Sequence, residues 1–144
     1  LRENFNGTGP WQGRFRIGHF DPLVHRYALA AIGGVDGLVS TGLDRTEQLP
    51  EWQCAAGYQV PDVADIGRYF ALNPDGTVRD INVGQYGDKA YMTRLTQLLQ
   101  QATPQYGAPI DSSAESVTAA IERELATPVV LTSHGPTVND KRVH

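Results

Sequence analysis

Two arginines stand one residue apart in the stretch GRFRIGHFD, residues 13–21. In an extended segment, side chains at i and i+2 point the same way, so the planar forks of Arg14 and Arg16 can converge on one anion. A carboxylate or phosphate would accept them bidentately, which an ammonium cannot match. Gly13, with Gly7 and Gly9 ahead of it, suits a segment that closes over a substrate. The pair reads as an anion clamp, and equally as two solvated loop charges.

Two further stretches carry the chemistry of a binding site, STGLD at residues 40–44 and LTSHGPT at residues 131–137. Each follows an apolar, β-branched run, and ligands gather beyond the carboxyl ends of strands in open α/β sheets. Asp44 offers two acceptor oxygens, the complement of paired N–H groups on a purine edge such as that of guanine. Ser133, Gly135 and the carbonyls around Pro136 could cradle a flat base. The plainer readings stand beside these. Asp44 precedes Glu47 by three, as in a capping box, and Ser133–Pro136 has the composition of an ordinary turn. Spacing alone leaves both pairs of readings open.

The elements that must position these residues follow from periodicity. Asp21 can cap a helix whose first position is Pro22, with Leu23, Val24, Tyr27, Ala28, Ala31 and Ile32 at helical spacing and Gly33-Gly34 as the stop. His25 and Arg26 fall on its polar edge. GLVST and WQCAAGYQV read as strands on either side of the short helical run LDRTEQL. RYFALNPDGTVRDINVG reads as two strands joined by an Asn-Pro-Asp-Gly turn. KAYMTRLTQLLQQA is a helix with Tyr91, Met92, Leu95, Leu98 and Leu99 on its buried stripe. A second helix, SAESVTAAIERELA, turns Val117, Ala120, Ile121 and Leu125 inward, and TPVVLTSHGPT is a buried strand entering a Gly-Pro loop. Residues 1–20 read as a loop. The alternation predicts an α/β fold, a mixed sheet with flanking helices.

Bulk properties narrow the function. The chain has 144 residues with 40% hydrophobic content, enough for one domain with an ordinary core. Twelve Lys+Arg against 16 Asp+Glu give a formal charge of -4, and no basic tract exceeds a pair, which argues against nucleic acid and anionic membranes as partners. No apolar run is long enough for a membrane helix, and the opening LRENFNGTG has no signal pattern. The lone Cys54 suits a reducing compartment, so the expected location is cytoplasmic. There is no internal repeat or low-complexity segment. Because the chain starts at Leu1 rather than Met, it is expected to be processed or to be the later part of a longer protein.

The stretch from Thr8 to Tyr58 resembles the later part of adenylosuccinate synthetase. That family carries an arginine loop, a Gly-Trp step into a helix with Asp at its start, a strand ending in Thr-Lys-Leu-Asp, and a strand like Cys-Val-Ala-Tyr. Gly13-Arg14-Phe15-Arg16, Gly18-His19-Phe20-Asp21, Thr41-Gly42-Leu43-Asp44 and Cys54-Ala55-Ala56-Gly57-Tyr58 hold those places. The family's closing helix and strand finish in Ser-Thr-Gly-Pro, to which Ser133-His134-Gly135-Pro136 is similar. Order and spacing agree over residues 8–58 and 115–138. Residues 59–114 match poorly, with a faint echo in YGAPID.

The resemblance implies purine nucleotide biosynthesis: ligation of L-aspartate to a purine nucleotide monophosphate, IMP to adenylosuccinate, driven by GTP through a 6-phosphoryl intermediate. Gly13, Arg14 and Arg16 would bind aspartate and reach the nucleotide sugar. Gly42, Asp44, Ser133, Gly135 and Pro136 would hold the nucleotide base. It further implies a homodimer, Mg2+, and a place as the C-terminal portion of a larger P-loop-like ligase fold. The departures matter. One arginine of the loop is missing, His19 replaces Trp, and Gly42 replaces the lysine beside the base. Phage relatives of the family make 2-aminoadenylosuccinate from dGMP and take an adenine nucleotide as energy source, which keeps dGMP and ATP open here. The family's phosphate loop, with its catalytic Asp and magnesium ligand, and its catalytic histidine have no counterpart in these residues; NGTGPWQG lacks the lysine and acidic residue. No catalytic or metal-binding residue is therefore assigned, and this chain alone is expected not to catalyse. A non-catalytic domain that binds a nucleotide or a protein partner is the alternative from another class.

Overall fold

Asp21 starts the first helix as capping chemistry requires, and it is the point from which the described chain is continuous with regular structure. The computed structural model describes residues 9–11, 13 and 17–144. In α1 (Pro22–Ile32), Asp21 Oδ1 accepts from the N–H of Leu23 at 3.1 Å and of Val24 at 3.4 Å. Pro22 takes a first-turn position where no N–H is needed, and Gly33, at φ 85°, ends the helix.

The remaining elements are β1 (Leu38–Ser40), α2 (Leu43–Thr46), β2 (Ala55–Gln59), α3 (Ile66–Tyr69), β3 (Phe70–Leu72), β4 (Val78–Ile81), α4 (Lys89–Gln100), β5 (Thr103–Tyr106), α5 (Ala114–Leu125), β6 (Val129–Ser133) and β7 (Lys141–Val143). Among the described residues this is a mixed α/β protein with five helices and two sheets rather than the single mixed sheet expected. One sheet has the order β3-β4-β2-β5 and is antiparallel throughout. The other has the order β1-β6-β7, with β1 and β6 parallel and β7 antiparallel to β6. Short connections explain the split. The 73–77 turn folds β4 back on β3, and the two residues between α4 and β5 deliver β5 to the free edge of β2.

Two clusters of buried residues form the core. Leu23, Tyr58, Phe70, Val78, Tyr91 and Leu98 pack with α1 and α4 on the four-stranded sheet. Leu43, Trp52, Ala114, Val117 and Ala120 join α2 to α5, with Phe20 stacked on Trp52 at 5.6 Å between ring centres. Arg26, expected on a polar edge, instead ties three elements together. Its Nε lies 2.8 Å from Asp80 Oδ1 on β4, Nη2 donates to the Arg79 carbonyl at 2.8 Å, and Nη1 donates to the Glu124 carbonyl at 3.2 Å on α5.

Several expected faces shift once neighbours are in place. In α1 only Pro22 and Leu23 are buried, while Val24 and Ile32 stay exposed, because the helix rests on β2, β4 and α5 along one narrow stripe. Met92 also points outward from α4, where its sulfur accepts from the Tyr27 hydroxyl. β6 is buried only in part: Val129, Thr132 and Ser133 are covered and Val130 is exposed.

Candidate functional site

The parallel pairing of β1 with β6 sets Ser40 opposite Thr132, so both chains leave the sheet at the same end. The Thr41–Asp44 and Ser133–Pro136 segments thus emerge from adjacent strands at their carboxyl ends. β7 returns antiparallel, with Lys141 opposite Ser133, and brings a third segment to the same end.

Each segment has a local cause. Gly42 is the N-cap of α2 with φ 77°, a left-handed conformation that glycine adopts without strain. No side chain caps this helix. Asp44 is therefore not the capping residue its spacing to Glu47 predicts. It lies inside the first turn, and Glu47 closes the helix, because four residues are too few for a box that starts at Asp44. The Asp44 carboxylate is half-buried and bonds to none of the described residues, while its carbonyl accepts from Gln48 Nε2 at 3.0 Å.

The Ser133–Pro136 loop is locked from within. Ser133 is buried, and its hydroxyl donates to the Gly135 carbonyl at 3.1 Å. Lys141 Nζ donates to Ser133 Oγ and to the Gly135 carbonyl, each at 2.7 Å. Asp140 Oδ2 accepts from the Thr137 hydroxyl at 2.6 Å and from its N–H at 2.8 Å, and the Asp140 carbonyl accepts from the His134 N–H at 2.9 Å. These Thr137 bonds hold the Asp140 carboxyl below the usual carboxylate range. Gly135 is required by this closure: a Cβ there would come 2.7 Å from Asp140 Oδ2. Pro136 is exposed at the tip. Asp140 and Lys141 were not singled out from the sequence; the Thr-x-x-Asp spacing of residues 137–140 is the signal that could have found the loop closure.

Beside this loop is a cleft of about 260 Å3 whose lining includes Leu43, Ala114, Thr132, His134, Arg142 and His144. Thr132 Oγ1 bridges two imidazoles there, His144 Nε2 at 2.9 Å and His134 Nε2 at 3.2 Å. Asp44 and Ser133 do not line it.

The other expected site is placed only in part. Gly13 is exposed with no atom near its Cβ direction. Arg14 and Arg16 lie outside the described residues. His19 packs edge-on against Tyr106, with 4.8 Å between ring centres. Cys54 is half-buried, and burial pushes its thiol up, reinforced by the nearby Glu124 charge. Among the described residues there is no group of three His, Cys, Asp or Glu side chains that could hold a metal ion. No helix among them is long and apolar enough to cross a membrane.

No family model matches the chain, and no curated protein matches it.

Proposed function

We propose that this chain recognises a purine base at the carboxyl ends of β1 and β6, as part of an adenylosuccinate synthetase-like ligase that joins L-aspartate to a purine nucleotide monophosphate. The observation that carries the reading is the parallel β1–β6 register, Ser40 opposite Thr132, which sets the Asp44 segment beside the Ser133–Pro136 loop. Asp44 is an acceptor without a described partner, suited to the N1–H and 2-amino group of guanine. Gly42, Gly135 and Pro136 add backbone close to the base plane, and Ser133 shapes the loop from inside. Gly13, Arg14 and Arg16 are the aspartate clamp of this proposal. The triphosphate, GTP or ATP, and Mg2+ act with catalytic groups that these 144 residues do not supply.

Calorimetric titration of the chain with GTP, ATP, IMP and dGMP tests base recognition. Saturable binding of a guanine nucleotide is expected, weakened about ten-fold in Asp44→Asn with ATP affinity unchanged, the size of one charge-assisted hydrogen bond. Equal loss for both triphosphates would leave Asp44 as a helix residue only. A strong response to dGMP over IMP would favour the 2-aminoadenylosuccinate reaction.

A further inference from the structure

We propose that the cleft between α5 and the β6–β7 hairpin binds a free α-amino acid with an apolar side chain, its carboxylate met by Arg142 and its ammonium by Glu115 and Glu122. The inference is independent of the base-binding reading, because Asp44 and Ser133 do not line this cleft.

Two elements with different periods build the walls. Glu115, Thr118, Ala119 and Glu122 lie three and four residues apart on α5 and so share one face of the helix. The other wall comes from the hairpin, where Thr132 pairs with Arg142 and His134 and His144 lie two residues on from each, on the same side of the sheet. The Thr132 hydroxyl, in a side chain 2% exposed, holds His134 Nε2 at 3.2 Å and His144 Nε2 at 2.9 Å, which fixes this wall. Leu43 and Ala114 are buried and form an apolar floor, whereas Arg142 and Glu115 stand exposed at the mouth.

The charges decide the class of ligand. Among the described residues the side chains of Arg142 and Glu115 have no hydrogen-bond or ion-pair partner, and neither glutamate comes within the 4.0 Å of an ion pair with Arg142. Glu122 is anchored through Oε1, which accepts from the Val129 N–H at 2.7 Å, and its Oε2 has no described partner. A plain anion would meet Arg142 but be repelled by two carboxylates, and a plain cation would meet the reverse. A zwitterion satisfies both signs, the guanidinium donating to its carboxylate and the glutamates accepting from its ammonium. The apolar floor then covers the side chain, and a volume of about 260 Å3 admits a branched aliphatic one.

Calorimetric titration of the parent chain, Arg142→Gln and Glu115→Gln with L-leucine, L-leucinamide, 4-methylpentanoate and glycine tests this. Both side chains are exposed and without a described partner, so the variants should melt with the parent. The expected result is saturable leucine binding, about five-fold weaker for leucinamide and for 4-methylpentanoate, each of which lacks one of the two charges. Arg142→Gln should weaken leucine by a similar factor and leave leucinamide unchanged, and Glu115→Gln should weaken leucine and leave 4-methylpentanoate unchanged. A folded parent chain that does not bind leucine, equal losses for leucine and leucinamide in Arg142→Gln, or glycine binding as tightly as leucine would overturn the proposal. None of these outcomes bears on Asp44 or on nucleotide titrations, so the base-binding reading stands or falls separately.

Discussion

At the scale of single residues, Asp21 shows how one side chain serves two levels of structure. Its Oδ1 caps α1, and its Oδ2 accepts from the Tyr58 hydroxyl of β2. Burial, with the Asp21 carboxylate beside it, pushes the Tyr58 phenol well above its ordinary value of about 10. A group whose folded pKa is raised stabilises the fold below its unfolded pKa, and that contribution is lost as pH rises towards the folded value. The melting temperature is therefore expected to decline above about pH 10. Tyr58→Phe should flatten that decline relative to the parent chain; an unchanged slope would assign the alkaline loss to other groups. The cap was legible in the sequence from Asp-Pro ahead of an apolar period. The Tyr58 bond was not, because residues 37 apart meet only after the sheet forms.

At the scale of elements, α1 gains little from burial, since most of its apolar side chains remain in solvent. Polar ties do more of the fastening, and Arg26 is the chief one, bonding β4 and α5 from a side chain 29% exposed. Arg26→Ala should lower the unfolding free energy by about 2 kcal/mol, the scale of hydrogen bonds to a charged group, measured by urea denaturation. A change within about 0.5 kcal/mol would mark these bonds as exchangeable with water. The register of β6 was equally hidden. Its apolar run reads as a buried strand, yet Val129, Thr132 and Ser133 are buried and Val130 is exposed, a pattern set by what packs on the three-stranded sheet rather than by the run itself. β5 and β7 were missed for a related reason. TPQY and KRV have no alternation of their own, and they are strands only because β2 and β6 offer free edges.

At the scale of the whole molecule, acid should act through several carboxylates at once. Bonds to Thr77, Ser113 and Thr137 hold Asp75, Asp111 and Asp140 below the usual range. For Asp80, burial pushes upward, but Arg79 and Arg26 outweigh it and the net direction is down. Depressed carboxylates contribute stability above their unfolded pKa and lose it as pH falls through the folded value. The melting temperature should be level near neutrality and fall below about pH 4. A thermal scan from pH 7 to pH 2 checks this, and Asp80→Asn should make the fall shallower. A flat profile to pH 2 would show that these bonds are equally available in the unfolded chain.

The sequence by itself determined α1, α4, α5 and the hairpin, where capping residues, the Gly33 stop and the Asn-Pro-Asp-Gly turn act over a few neighbours; α3 was not foreseen, and it takes in Arg68 and Tyr69, read as the start of a strand. It also marked the two glycine-containing segments after β1 and β6. Only the tertiary structure decided that these segments share one end of a parallel pair, that Gly42 rather than Asp44 caps α2, and that Lys141 sits inside the Ser133–Pro136 loop. The first depends on pairing of Ser40 with Thr132, far apart in the chain, and the last on β7 folding back beside Ser133, and no local period encodes either.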